Sequence, residues 1–361
     1  MSELKNFKSD KPFVLESGKV MNGLEIAFHT YGHFDPDRNN VIWICHAFTA
    51  NSDAADWWPG MIGKGWLFDP EKHFIVCANI LGSCYGSTGP LSLNPETGRP
   101  WYLGFPELTV RDLVTAHELL RSHLGISRIH TIVGGSIGAH QAMEWAIMQP
   151  ALFDHLIIIA AGACYTPWGI AINESQRLAL QADPTFYNES ADAGHAGLMA
   201  ARSIALISYR NFLIYNKTQA EDDPEKTKGF RASSYQRYQG EKLVKRFHAH
   251  PYYILLNILD SHNVGRGRGG IEKALARIKA RTLVVGITSD YLFATHEQIS
   301  LAGQIPGAVY REIDSLYGHD GFLVEVEKVT QTVTDFYAYD KMQTANLQST
   351  PLIMTNSTRT D

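Results

Sequence analysis

Three residues of this chain have the types and the order that nucleophilic catalysis requires. Ser136 lies within G-G-S-I-G, between an apolar run and a stretch with helical spacing. Asp290 follows the apolar run R-T-L-V-V-G-I, and His319 lies in G-H-D-G-F before the last helical pattern. A serine hydroxyl at its free pKa is a poor nucleophile, so it needs an imidazole base, which a carboxylate orients. We predict that these three residues act together, with Ser136 as the nucleophile.

The glycines beside Ser136 favour this interpretation. A G-x-S-x-G sequence between a strand and a helix makes a sharp turn that exposes the serine oxygen at the carboxyl edge of the sheet. The amide of Ile137 then begins the helix and can face a developing oxyanion. We expect the second donor in the loop C-H-A-F-T-A-N-S, where position selects the amide of Phe48, and we interpret His46 as structural. The alternative is an idle serine in a glycine-rich turn.

The elements that must position these residues alternate in type along the chain. Strand patterns cover residues 41–45, 73–79, 128–133, 155–161, 281–287 and 309–313, and helical patterns cover residues 108–124 and 137–148. This alternation predicts an α/β fold with a mostly parallel sheet and helices on both faces. Residues 12–31 are expected to form two further strands with a hairpin turn at Asn22 and Gly23.

The alternation is interrupted by a long stretch rich in helical patterns and aromatic residues. We therefore predict a sheet core formed by residues 1–163 and 280–342, with a helical lid inserted at residues 164–279. Residues 343–361 are rich in Ser, Thr, Asn and Gln, which is typical of a mobile tail.

Composition and charge argue against several classes of protein. The chain has 361 residues, of which 45% are hydrophobic and 19% charged, and its formal net charge is −5. A net negative charge argues against a nucleic-acid partner. The polar start M-S-E-L-K-N-F-K is not typical of a signal peptide, and no apolar run is long enough to span a bilayer. The four cysteines lack metal-site spacing, so we expect reduced thiols, a cytoplasmic location, and neither a metal nor a bound cofactor.

Motifs along the chain resemble those of the homoserine O-acetyltransferases, acyltransferases of the α/β-hydrolase superfamily. The matching stretches are H-A-F-T-A-N-S at 46–52, N-I-L-G-S-C-Y-G-S-T-G-P at 79–90, F-P-E-L-T-V-R-D at 105–112, G-G-S-I-G-A-H-Q-A-M-E-W at 134–145, N-E-S-Q-R at 173–177, A-R-S-I-A-L-I-S-Y-R at 201–210, H-N-V-G-R-G-R-G-G at 262–270, S-D-Y-L-F at 289–293 and G-H-D-G-F-L at 318–323. They lie in both the sheet and the insertion, so the resemblance extends over nearly the whole chain except its ends.

The resemblance implies an α/β-hydrolase fold and a ping-pong acyl transfer in methionine biosynthesis. Ser136 would take an acetyl group from acetyl-CoA, and the hydroxyl of L-homoserine would then attack the acyl-enzyme. The resemblance further implies that Arg202 and Asp320 hold the amino acid, and that the protein is a homodimer built through the insertion. A guanidinium suits the α-carboxylate, and a carboxylate suits the α-ammonium. The residues alone would make Arg202 a solvated helix residue and Asp320 a helix N-cap.

Departures from the family pattern leave the substrates open. Many members read G-G-S-M-G-G and H-A-L-T-G, where this chain has Ile137, Ala139 and H-A-F-T-A. A succinyl donor or a serine acceptor is therefore an alternative. A plain serine esterase and a catalytically silent binding protein are two further alternatives.

Two basic stretches are interpreted without a catalytic role. G-R-G-R-G-G at 265–270 satisfies G-x-G-x-x-G but follows a helical pattern, so we predict a loop rather than a dinucleotide site. Contact of Arg266 or Arg268 with the CoA phosphates is kept as an alternative. Lys242, Lys245 and Arg246 are interpreted as the solvated face of a helix.

Overall fold

The computed structural model describes residues 2–349, and the side chains of these residues up to 342. Its strands are β1 (Lys5–Lys8), β2 (Phe13–Val14), β3 (Val20–Met21), β4 (Glu25–Tyr31), β5 (Val41–Cys45), β6 (Phe74–Ala78), β7 (Ile129–Gly135), β8 (Phe153–Ile159), β9 (Arg281–Ile287) and β10 (Val309–Ile313). Eight strands form one sheet in the order β1-β4-β6-β5-β7-β8-β9-β10. Its pairs are parallel from β6 through β10, whereas β4 runs antiparallel to β1 and β6.

Helices cover both faces of this sheet. They are α1 (Ala54–Trp57), α2 (Val110–His123), α3 (Ile137–Met148), α4 (Pro167–Gln181), α5 (His195–Tyr209), α6 (Phe212–Thr218), α7 (Arg231–Val244), α8 (Ala249–Asp260), α9 (Ile271–Leu275), α10 (Thr295–Gln304), α11 (Gly321–Val324) and α12 (Val326–Ser349). Short 3-10 turns occur at Tyr102–Gly104 and Gly318–Asp320. The predicted α/β class and the mostly parallel sheet are confirmed.

The central strand β5 shows why its sequence is apolar throughout. Trp43 and its neighbours two residues away pack with residues of α2 and α3, whereas Ile42 and Ile44 pack on the opposite face with residues of α1 and α12. Side chains of a strand alternate between the faces of the sheet, and both faces are covered here. An uninterrupted apolar run is therefore required, and every residue of this strand is buried.

The predicted hairpin turn at Asn22 and Gly23 is wrong. The hairpin joins β2 to β3, and Gly18, with φ of 82°, lies in its turn. Asn22 and Gly23 instead connect β3 to β4, and β4 belongs to the large sheet. The sequence pattern identified a reversal of the chain, but the partner of each strand depends on which sheet buries it.

The predicted lid region, residues 164–279, contains the six helices α4 to α9. Helix α5 packs against α4 and α7, and α8 packs against α4 and α5. The ring of Tyr252 on α8 lies 4.8 Å from the ring of Phe48, centroid to centroid, which joins this region to the loop after β5. These helices therefore lie over the carboxyl edge of the sheet.

The final helix extends further than the sequence pattern indicated. Helix α12 continues to Ser349, which is within the segment expected to be a mobile tail, and residues 350–361 lie outside the described residues. None of the described helices is long and apolar enough to cross a membrane.

The turn from β7 into α3 brings three backbone segments unusually close together. A Cβ atom at Gly138 would lie 2.0 Å from the carbonyl oxygen of Cys45, and one at Gly134 would lie 2.2 Å from the carbonyl carbon of Gly138. Such distances exclude any side chain. The glycines therefore allow the start of α3 to rest directly on the end of β5.

Replacement of Gly138 by alanine tests this packing. Because the new methyl group meets backbone atoms that cannot rotate away, we expect Gly138→Ala to lower the free energy of unfolding by about 2–3 kcal/mol. Chemical denaturation measures this change. Gly303 lies in α10 with no neighbour within 4 Å of an added Cβ, so Gly303→Ala is the matched control and should be neutral or stabilise by up to about 1 kcal/mol. Equal effects of the two substitutions would contradict the packing argument.

Candidate active site

Ser136 occupies a strained turn at the carboxyl edge of the sheet. Its φ of 58° and ψ of −128° lie outside the regions that non-glycine residues favour. Its amide donates to the carbonyl of Ile159 over 3.0 Å, which ties the turn to the end of β8. A Cβ at Gly135 would lie 2.5 Å from the ring of Phe322, so glycine is needed there too. The turn presents the Ser136 side chain toward the cavity described below.

Asp290 and His319 form a buried hydrogen-bonded pair. One Asp290 oxygen accepts from the amides of Leu292 and Phe293, over 2.8 and 3.0 Å. The other oxygen accepts from Nδ1 of His319 over 2.8 Å. The proton of the neutral imidazole therefore lies on Nδ1, which leaves Nε2 able to act as a base. The side chain of Asp290 is fully buried, and that of His319 is 5% exposed.

Charged neighbours decide the protonation of this imidazole. Burial by itself lowers the pKa of His319, but the carboxylates of Asp290 and Asp320 outweigh it and raise the pKa above its ordinary value. A negative charge close to a buried histidine stabilises the imidazolium, because it replaces part of the lost hydration. The imidazole is thus made a better acceptor of a proton.

Ser136 and His319 line one cavity of about 400 Å³. The other lining residues are Ala47, Phe48, Thr49, Ala50, Asn51, Asp56, Trp57, Arg202, Tyr209, Lys242, Arg246, Asp320, Phe322 and Leu323. Among the described residues, no hydrogen bond joins Ser136 Oγ to His319. Catalytic contacts are often long in a protein without substrate and shorten when the substrate binds.

The backbone amides of Phe48 and Ile137 are the predicted oxyanion donors. Neither donates to another described residue, and Phe48 lines the cavity. His46 holds the Phe48 loop in place, because its Nε2 accepts from the amide of Ile80 over 3.0 Å and its Nδ1 lies 2.9 Å from the Ala47 carbonyl. Burial lowers the pKa of His46 to about 4, so it remains neutral. These contacts agree with a structural role for His46.

Arg202 and Asp320 reach the cavity from different parts of the chain. Arg202 belongs to α5, and its guanidinium carbon lies 5.7 Å from the ring centroid of Tyr209. Its Nε is buried and has no hydrogen-bond partner among the side chains and backbone that the structure describes. Asp320 accepts from Nε of Arg210 over 3.2 Å. Arg202 and Asp320 therefore supply, within this cavity, a cation and an anion suited to the two charged groups of an amino acid.

Several site residues were missed by the sequence reasoning. Rings of Tyr209, Phe293 and Phe322 surround His319, with centroids 5.9, 5.4 and 5.8 Å from that of the imidazole. They come from α5, the segment after β9 and α11, so their spacing carries no common signal. Arg210, the partner of Asp320, was part of the quoted motif A-R-S-I-A-L-I-S-Y-R but received no role.

The two basic stretches differ in where they lie. Lys242, Lys245 and Arg246 are solvent exposed, as expected, but Lys242 and Arg246 also line the cavity. Arg266 and Arg268 do not line it, because they bind Glu16 and Glu144 respectively. The second stretch is thus a structural loop.

Metal-binding residues do not converge in the part of the chain whose side chains are described. No three His, Cys, Asp or Glu side chains there form a group that could hold a metal ion.

Comparison with known proteins identifies the family. The sequence profile of the α/β hydrolase fold matches residues 40–326. The chain is 44% identical to a homoserine O-acetyltransferase of Cyclobacterium marinum over 331 residues, which are 92% of this chain and 94% of that protein. The chain belongs to the homoserine O-acetyltransferase family. The resemblance inferred from the motifs is thereby confirmed.

Solved structures show that this fold serves more than one activity. A homoserine O-acetyltransferase from Bacillus anthracis superposes with a TM-score of 0.88 at 22% identity, over 93% of this chain and 97% of that one. Esterase E22 superposes with a TM-score of 0.85 at 24% identity, over 93% of this chain and all of that one. At such identities the likeness shows the fold alone, and it does not distinguish acyl transfer from ester hydrolysis.

The raised pKa of His319 can be tested by substitution of its partner. We expect Asp290→Asn to lower the pKa of His319, because the substitution removes the negative charge that stabilises the imidazolium. An NMR titration of the imidazole measures it. Asp56 lines the same cavity without contacting His319, so Asp56→Asn should leave the value unchanged. An unaltered pKa in Asp290→Asn would show that another group raises it.

Proposed function

We propose that this protein transfers the acetyl group of acetyl-CoA to the hydroxyl of L-homoserine, with Ser136 as the nucleophile. The observation that carries the proposal is one cavity lined by Ser136, His319, Arg202 and Asp320, in a chain whose curated relatives are homoserine O-acetyltransferases. The acetylated product suits methionine biosynthesis, as the family resemblance implies, and we place the reaction in the cytoplasm.

The first half of the reaction loads the enzyme. His319 Nε2 takes the proton of Ser136 Oγ, which attacks the thioester carbonyl carbon and forms a tetrahedral oxyanion. The amides of Phe48 and Ile137 donate to that oxygen. The carbon–sulfur bond then breaks, the sulfur of CoA receives the proton from His319, and acetyl-Ser136 remains. Asp290 keeps the imidazole oriented and stabilises its cation.

The second half transfers the acetyl group to the amino acid. Arg202 binds the α-carboxylate of homoserine and Asp320 its α-ammonium, which brings the hydroxyl to the acyl-serine. His319 takes the hydroxyl proton as the new carbon–oxygen bond forms, and returns it to Ser136 Oγ as the old ester bond breaks. Binding of both charged groups fixes the acceptor close to the carbonyl, and this proximity favours homoserine over water.

Hydrolysis is the competing function, because esterase E22 shares the fold. It differs from transfer only in the molecule that attacks acetyl-Ser136. The Arg202 and Asp320 pair favours transfer, because a plain esterase has no need of one cation and one anion at the acyl-enzyme. A succinyl donor or a serine acceptor would keep the same mechanism with another substrate.

A thiol-release assay with purified protein tests the proposal. Acetyl-CoA or succinyl-CoA is supplied with L-homoserine, L-serine or no acceptor. We expect thiol release that requires acetyl-CoA and homoserine together, because water is a poor competitor for the acyl-enzyme. Equal release with and without an acceptor would make the protein a hydrolase. Release only with succinyl-CoA or with serine would change the substrate and keep the mechanism.

Two variants connect this assay to the site. Ser136→Ala should abolish turnover, and unchanged turnover would refute the nucleophile. Arg202→Gln should raise KM for homoserine at least tenfold with a smaller change in KM for acetyl-CoA, because a charge-assisted contact with the carboxylate is lost.

We also propose that the protein is a homodimer built through α4 and α5. Exposed apolar side chains on these two adjacent helices include Trp168, Leu178 and Ile207, which are 59%, 58% and 67% exposed. A patch of this kind is costly in water and is typical of a subunit interface. The apolar groove between the helices, which Trp168 and Ile207 line, would receive side chains of the second copy.

Light scattering coupled to size exclusion tests the dimer. We expect a mass twice that of the 40.2 kDa chain, and we expect Ile207→Asp to shift the protein toward monomer because it places a charge within the interface. Ile299, 52% exposed on α10, is the matched control, and Ile299→Asp should leave the mass unchanged. A monomeric wild-type protein would refute the proposal.

A further inference from the structure

The mouth of the cavity carries a cluster of cations without acidic partners. Lys242 lies in the last turn of α7, Arg246 follows that helix, and both line the cavity together with Arg202. The same three residues, with Gln239 and Leu243, line a small adjoining recess of about 70 Å³. In the described part of the chain, none of the three cations forms a salt bridge, although the protein has a net charge of −5.

Solvent exposure distinguishes Lys242 and Arg246 from the reacting groups. Ser136 is 8% exposed and His319 is 4% exposed, whereas Lys242 and Arg246 are both solvent exposed. A ligand that reaches Ser136 with one end and extends out of the cavity would pass these cations with its other end. An acyl-CoA has this form, because its thioester lies at one tip and its phosphates lie far from it.

The structure holds Arg246 in position at the mouth. Its Nη1 donates to the carbonyl of Thr49 and to the hydroxyl of Tyr85, the latter over 2.7 Å, and its Nη2 lies 3.3 Å from Oγ1 of Thr49. All three acceptors are neutral, so the positive charge is oriented but not neutralised. An arginine that is held in this way loses little conformational entropy when it binds an anion.

We propose that Lys242 and Arg246 form a phosphate subsite that binds the diphosphate of the acyl-CoA donor. This inference rests on the proposed function and adds to it the residues that recognise the donor. Arg246 supplies an oriented guanidinium with further N–H groups available, and Lys242 supplies an exposed ammonium with no described partner. Charge-assisted hydrogen bonds to phosphate are stronger than neutral ones, so two such contacts would dominate recognition of this end of the donor.

The other anion that could meet these cations is the carboxylate of a succinyl group. The exposure of Lys242 and Arg246 disfavours it, because an acyl group must lie beside the buried Ser136. Arg202 is half-buried, and the proposed function assigns it to the α-carboxylate of homoserine. Two parts of an acyl-CoA could supply the anion that binds these cations, a phosphate of CoA or the carboxylate of a succinyl group. The experiment below distinguishes the two.

Calorimetric titration with CoA and with pantetheine, which lacks the phosphates, tests the subsite without relying on turnover. We expect Lys242→Gln and Arg246→Gln each to weaken CoA binding about tenfold, because each removes one charged contact. Pantetheine binding should change less than twofold. Arg246→Lys should recover part of the loss, because it keeps the charge. Lys245 is equally exposed beside them but does not line the cavity, so Lys245→Gln is the matched control and should bind CoA as the wild type does.

The results of these titrations distinguish failure of the phosphate subsite from failure of the proposed acetyl transfer. CoA affinity that is unchanged in Lys242→Gln and Arg246→Gln overturns the subsite, as does an equal loss for pantetheine. A loss seen with succinyl-CoA but not with CoA assigns the cations to an acyl carboxylate and also overturns it. A protein with Lys242-dependent CoA binding that fails to transfer acetyl groups retains the subsite and refutes the proposed function.

Discussion

The contact between the start of α3 and the end of β5 is the constraint on which the site depends. Gly138 rests on the carbonyl of Cys45, and no side chain fits between them. Because α3 begins this close to the sheet, Ser136 must adopt its strained backbone conformation with φ of 58°. The same contact brings the amide of Ile137 toward the loop that carries Phe48. Two strands and one helix thus position the proposed nucleophile and both proposed oxyanion donors together.

The charged groups of the site differ in burial: Asp290 is buried at the base of the cavity, whereas Lys242 and Arg246 are solvent exposed at its mouth. At the base, one oxygen of Asp290 accepts from two backbone amides and the other accepts from the imidazole of His319, which stabilises the buried carboxylate. At the mouth, Lys242 and Arg246 are solvent exposed, and neither forms a salt bridge with a described residue. A charge is costly to bury but retains its solvation at the surface. Nearby carboxylates raise the pKa of the buried His319 imidazole, whereas the exposed cations remain available to an incoming anion.

The G-R-G-R-G-G loop at 265–270 matches the dinucleotide-binding pattern G-x-G-x-x-G, but its arginines have structural partners. Arg268 binds the buried carboxylate of Glu144 on α3, and Arg111 lies 3.3 Å from the same carboxylate. Arg266 binds Glu16, which also binds Arg111. The arginines thus connect the lid region, the N-terminal segment and the helix that follows Ser136. Their role is to join parts of the fold, since their charges are already neutralised.

The amino-acid sequence alone is sufficient to predict the alternation of strands and helices, the turn that presents Ser136 and the order of Asp290 and His319. These features are local: apolar periodicity and small residues at a sharp turn require only neighbours along the chain. It also identified the family, because the motifs occur in both the core and the insertion.

Long-range packing, and not position along the chain, determines which residues share the cavity. Lys242, Lys245 and Arg246 form one charged run in the sequence, yet two of them line the cavity and one does not. The partner of Asp320, the rings around His319 and the pairing of β2 with β3 are likewise set by the packing of distant segments. A sequence pattern records what each residue can do, whereas long-range packing decides which groups meet.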